Sequence, residues 1–108
     1  QFSEADLHAY ANADDFERAT VALASLGDFE IELVERALLD RSTDLILILA
    51  RAAKCCRATA RAILMMPSAD RRLSPMDLSY ALAQFDRLQL ATARSALEFY
   101  RLRRKAED

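Results

Sequence analysis

The sequence predicts an all-α domain, with antiparallel helical hairpins stacked into a short, right-handed α-solenoid of six or seven helices. Three observations predict it. The 108 residues include one Gly and two Pro, too few of the residues that punctuate tight turns between strands, while 53% are hydrophobic. Apolar residues recur at helical spacing between recognisable caps. A 33-residue echo also runs through the second half: Asp44-Leu45, Leu49-Ala50, Ala58-Thr59-Ala60-Arg61 and Leu64 return as Asp77-Leu78, Leu82-Ala83, Ala91-Thr92-Ala93-Arg94 and Leu97. A period in this range marks a supersecondary unit that buries its apolar face by stacking on copies of itself. The length suits one domain, able to bury a core without disulfides or metal.

Taken in order, residues 1–13 hold a short leading helix over 4–12. Residues 14–40 form a degraded repeat. Asp14 followed by Glu17 makes a capping-box pattern, and Phe16, Ala19, Thr20, Leu23 and Leu26 recur up to Gly27, a natural stop. Asp28 is placed to cap the next helix, whose stripe is Ile31, Val34, Ala37 and Leu38. The middle repeat covers 43–66: Ser42 caps a helix over 43–54, Lys54 to Cys56 turn, Arg57 to Met66 form the partner, and Pro67 closes the unit. Leu45 to Leu49 are apolar on every face, which requires cover on both sides and places this repeat in the centre. After a polar link, Ser74-Pro75 with Asp77 supplies a cap and a Pro at the first helical position, opening the last repeat over 75–105. Its second helix runs from about Leu90 to Lys105.

Charge is distributed unevenly. Residues 1–50 carry eleven acids and three Arg, net −8, whereas residues 51–108 carry twelve Lys or Arg and six acids, net +6. Such bipolarity suits a charged partner at one end, or head-to-tail association of copies. The longest apolar run, Leu45 to Ala50, is far shorter than the roughly 18 residues of a membrane span. Cys55 and Cys56 are adjacent, which fits neither a secreted disulfide framework nor a C-x-x-C zinc site and favours a reducing, cytoplasmic setting. The chain opens on Gln without a leader pattern, and reads as a piece of a longer protein.

Five groups of residues carry candidate chemistry. Leu49-Ala50, Lys54-Cys55-Cys56, Thr59-Ala60 and Ile63-Leu64 resemble the helix-turn-helix of bacterial transcription factors. That resemblance turns Arg57 and Arg61 toward a major groove and Thr59 toward a phosphate. Three departures oppose it: Lys54 stands where Gly usually permits positive φ, the whole chain is acidic, and the same Ala-Thr-Ala-Arg recurs at 91–94 after a link without a capping residue. Cys56, at a helix cap between Lys54 and Arg57, is a candidate reactive thiol, against the plainer reading of a partly buried spacer. His8 reads as a surface or half-buried helical residue, and Glu30, Glu32 and Glu35 scatter over a solvated face, so no metal is assigned. The cationic tail of Arg101, Arg103, Arg104 and Lys105 complements a helix dipole.

The stretches Leu38-Leu39-Asp40-Arg41-Ser42, Leu49-Ala50-Arg51-Ala52-Ala53, Arg57-Ala58-Thr59-Ala60 and Leu73-Ser74-Pro75-Met76-Asp77-Leu78 carry a further likeness. Through them, residues 28–104 resemble a bacterial family of unknown function with HEAT-like helical repeats. The resemblance implies an α-solenoid-like scaffold and assigns no catalytic or binding residue. HEAT units run nearer about 40 residues, so the label is loose.

The expectation is therefore a non-enzymatic protein–protein interaction or scaffold module of a larger bacterial protein. The second helices of the hairpins would line one exposed surface, with Arg57, Arg61 and Arg94 as contacts for a protein partner or a second copy. The alternative is a helix-turn-helix DNA-binding domain using residues 50–64. No nucleophile–base pair and no Gly-rich phosphate loop is visible, so neither an enzyme nor a cofactor is expected.

Overall fold

Local capping chemistry sets where the helices start, although not always with the residue the pattern suggests. The computed structural model describes residues 1–107, with side chains as far as Arg103. Helix α1 spans Glu4–Asn12. Ser3 accepts from the Asp6 amide and Asp6 accepts from the Ser3 amide, completing a capping box. Helix α2 spans Phe16–Gly27, and its cap is Asp15 rather than Asp14. Asp14 instead adopts a left-handed backbone with φ 55°, and its carboxylate accepts from the Ser68 amide and hydroxyl at 3.0 and 2.8 Å. Short acidic side chains tolerate that region. The carboxylate then ties the α1–α2 corner to a distant turn.

Gly27 closes α2 because of its size. The left-handed residue is Asp28, at φ 56°, whose amide bonds to the Ala24 carbonyl. A Cβ on Gly27 would fall inside the Phe29 ring, which folds back over the helix end. Asp28 is thereby unavailable as the next cap, and α3, Ile31–Leu39, starts from Glu30 with no side-chain cap. Its other end is held from a distance: Arg71 donates from Nε to the Asp40 carbonyl at 3.1 Å and from Nη2 to the Ala37 carbonyl at 2.6 Å. A cation on the last carbonyls of a helix also complements its dipole.

Helix α4, Asp44–Ala52, begins after Thr43, with the Ser42 hydroxyl accepting from the Asp44 amide. A turn with Lys54 at φ 63° leads to α5, Arg57–Leu64. Pro67–Ala69 form a single 3₁₀ turn, and a full capping box between Ser74 and Asp77 opens α6, Pro75–Arg87. Helix α7 spans Leu90–Glu107. Seven α-helices and no strand are present among the described residues.

The apolar run of α4 finds the cover it requires. The helix packs on α2 and α3 on one side and on α6 and α7 on the other, and Leu45, Ile46, Leu47, Leu49 and Ala50 are all buried. Arg51 reinforces the α4–α6 contact: its guanidinium lies 4.0 Å from the Phe85 ring centroid and Nη2 donates to the Phe85 carbonyl at 2.8 Å. Whereas α2 and α3 lie against each other, the two echoing units pack crosswise, α4 on α7 and α5 on α6. Exchanging the copies maps one contact onto the other, the relation of a local two-fold rather than of a simple translation. The radius of gyration is 12.8 Å. About 13 Å is the value for a globular chain of this length, so the helices close around one core and do not extend as a rod.

Candidate functional site

Helix α5 carries most of the residues singled out in the sequence, and its N-terminus is built by α1. Cys56 is the N-cap residue but its side chain caps nothing. The capping is done by Glu4, from a helix more than fifty positions away. Its Oε2 accepts from the Cys56 amide at 2.9 Å and from the Thr59 hydroxyl at 2.8 Å. A carboxylate here meets the unpaired amides and positive dipole end of α5. Burial pushes the Glu4 carboxyl up. Hydrogen bonds from the Cys56 thiol, the Cys56 amide and Thr59, with the charge of His8, outweigh that and hold its pKa below the ordinary 4.5.

Thr59 is the hub of this cluster and is 1% exposed. Its only proton goes to Glu4, so it acts as acceptor toward His8 Nδ1, 3.3 Å away, and the Cys56 sulfur lies 3.5 Å from the same hydroxyl. His8 Nδ1 is therefore the donor in this contact. His8 is half-buried, and the sequence had no signal of its reach to Thr59, fifty-one positions on. The structure thus places an imidazole near Cys56, but through Thr59. Cys56 is exposed and Cys55 buried. Burial, followed by the charges of Glu4 and Cys56 and partly offset by Arg51, pushes the Cys55 thiol up to about 12.

Beyond the cluster, α5 and α6 leave an open groove of about 640 Å³ between them. Ala58, Pro75, Leu78 and Leu82 supply apolar surface, and Arg57 and Arg61, one helical turn apart, stand along the α5 edge. Arg57 pairs across the groove with Asp86 at 3.4 Å, both side chains about half exposed. Arg61 is exposed and makes no ion pair among the described residues. Arg94 lies elsewhere, in a separate hollow of about 230 Å³ with Gly27, Phe29, Ala52 and Leu97. The structure therefore brings Arg57 and Arg61 together and leaves Arg94 apart. A third hollow, of about 440 Å³, runs between α4 and α7 and is lined by Leu47, Ile48, Leu88, Phe99 and Tyr100 among others.

Two features bear on the helix-turn-helix resemblance in opposite directions. Lys54 adopts the left-handed conformation that the motif usually assigns to Gly. Thr59, in contrast, is buried and bound to Glu4, so it does not face a phosphate. The α1 segment covers the start of α5, the part that such a motif presents to bases.

No group of three or more His, Cys, Asp or Glu side chains able to hold a metal occurs among the described residues, and none of their helices is long and apolar enough to cross a membrane. Arg101 donates to the Asp28 carbonyl at 3.2 Å, while the side chains of Arg104 and Lys105 lie outside the described residues. Sequence reasoning missed Glu4 and Arg71, and gave Asp14 a local cap in place of its bond to Ser68. Each acts on a partner more than thirty positions away, and no local pattern marks such a pairing.

Residues 1–98 match the model of a family described as an uncharacterised protein conserved in bacteria, DUF2336, and the chain belongs to that family. No curated protein and no solved structure matches it.

Proposed function

We propose that this member of DUF2336 is a non-enzymatic protein–protein interaction module that works in the cytoplasm and docks its partner in the α5–α6 groove. One observation carries the reading: an open groove with apolar walls bears two exposed arginines on one edge. Partly apolar surface with an arginine rim is the composition that recurs at protein interfaces. Exposed Met76 and Tyr80 lie on consecutive turns of α6 and enlarge the surface available to a partner.

The experiment is cross-linked capture from a bacterial lysate with wild type, Arg57→Glu with Arg61→Glu, and Arg94→Glu. The groove variant loses proteins that wild type and Arg94→Glu both retain. Retention of the same set by the groove variant, or capture of nothing by all three, overturns the assignment.

A second reading is sequence-specific DNA binding through residues 50–64, and the left-handed Lys54 favours it. The engaged Thr59 weighs against it. Under that reading wild type shows salt-sensitive retention of DNA fragments that Arg57→Ala with Arg61→Ala lacks. No retention at low ionic strength ends it.

A further inference from the structure

We infer that the occupant of the α5–α6 groove is the outward face of α3 on a second copy of this chain, an inference that rests on the groove being a docking surface. The uneven charge of the sequence becomes, in three dimensions, two faces that match. Helix α3 packs on α2 and α4. On its other side Ile31 and Leu39 are 44% and 59% exposed, and Glu32 and Glu35 are exposed with them. Ile31, Glu35 and Leu39 fall on successive turns, so an acid stands between two apolar side chains on one stripe. Arg36 is the cation on this helix and is also exposed.

The groove carries the complement: apolar side chains of Ala58, Pro75, Leu78 and Leu82, with Arg57 and Arg61 beside them. The lengths agree. From Ile31 to Leu39 is about 12 Å at a rise of about 1.5 Å per residue, and α5 from Arg57 to Leu64 spans about 10.5 Å, within one residue of it. With Ile31 and Leu39 on the apolar surface, Glu35 comes opposite the arginine edge. Arg61 has no competing ion pair among the described residues. The Arg57–Asp86 pair is an exposed one, of the kind that contributes little and can exchange partners.

Donor and acceptor faces have no residue in common. Each copy therefore offers α3 to one neighbour and its groove to another, a heterologous contact that builds rings or open chains, or closes on itself when both copies exchange helices. Because a charged rim steers the encounter, association is sensitive to salt.

Sedimentation velocity of the whole chain across a concentration series tests this, at about 25 mM and about 500 mM NaCl. The average mass rises with concentration at low salt and falls toward the monomer at high salt. Arg61→Glu and Glu35→Arg, both at exposed positions, each weaken association by at least about tenfold. An equimolar mixture of the two variants recovers association, since the guanidinium introduced on α3 of one then faces the carboxylate introduced in the groove of the other. A wild type that is monomeric at every concentration up to about 1 mM overturns the inference. So does a mixture that fails to recover while both variants keep the wild-type circular dichroism. A monomeric wild type that still captures lysate proteins through Arg57 and Arg61 overturns self-association and leaves the interaction module standing.

Discussion

Replacing Glu4 should uncouple α1 from α5, and the size of the effect follows from the contacts. Glu4 accepts from the Cys56 amide and the Thr59 hydroxyl, both under 3 Å. Removing an N-cap acceptor costs about 1 kcal/mol. Leaving a buried donor unsatisfied costs about 1–3 kcal/mol, and Thr59 is 1% exposed. Glu4 itself is partly exposed and water can replace some of what it does, so the lower end applies. Glu4→Ala then destabilises by about 2 kcal/mol, a fall in Tm of about 8–12 °C for a domain of this size. Glu4→Gln keeps an acceptor but not the charge, and loses about half as much.

The pH dependence has a definite sign. The folded pKa of Glu4 lies below its unfolded value, so the ionised carboxylate contributes stability above the unfolded pKa and loses it as pH falls through the folded one. Urea unfolding of wild type and Glu4→Gln, followed by circular dichroism at about pH 7 and about pH 3, reads this directly. The stability gap between them narrows at the acid end. Equal stabilities at neutral pH, or a gap that does not shrink, would refute the capping argument.

Three other outcomes are expected. Iodoacetamide under native conditions labels Cys56 well before Cys55, because Cys55 is buried with its thiol pushed up to about 12, and mass spectrometry of the digested protein resolves the order. Gly27→Ala drives a methyl group into the Phe29 ring and destabilises by about 1–3 kcal/mol in urea unfolding. In a Phe29→Ala background the same change has a much smaller effect, and equal effects in both backgrounds would show that the ring is not the obstacle. Arg51→Lys loses the planar stack on Phe85 and the bond to its carbonyl, for about 1–2 kcal/mol by thermal melting.

What the sequence disclosed depended on how far apart the interacting residues lie. The α6 capping box is written within four residues, Ser74 to Asp77, and is formed as read. The all-apolar face of α4 announced a central helix, because no surface helix keeps Leu45 through Leu49 apolar, and four helices do cover it. The boundary of α2 was harder. Asp14 and Asp15 are both good caps, and the choice was decided by Ser68, fifty-four positions away. The Gly27–Asp28 corner went the same way: an aromatic ring needed the space beside Gly27, so the left-handed turn passed to Asp28 and α3 lost its expected cap. The Glu4–Thr59–His8 cluster had no local signature at all, since its members are ordinary helix residues in the sequence.

The 33-residue echo shows most clearly why architecture was more legible than surface. A repeat fixes which residues of each unit are equivalent, but not how the units are turned toward one another. Had α4 met α6 and α5 met α7 as their main contacts, equivalent side chains would lie along one face, and Arg61 and Arg94 would form a ridge. The packing is crosswise instead, α4 on α7 and α5 on α6. That relation turns the second unit over, so Arg61 stands by the N-terminal end of α6 while Arg94 stands by Ala52 and Phe29. Central α4 takes its cover on this side mainly from α7, and α5 pairs with α6 and with α1. A surface built this way carries two different arginine-bearing hollows rather than a periodic strip. Under the proposed docking in the α5–α6 groove, charge reversal at Arg61 therefore weakens capture of the partner while charge reversal at Arg94 leaves it intact. Equal losses from both would show that binding is not confined to the α5–α6 groove.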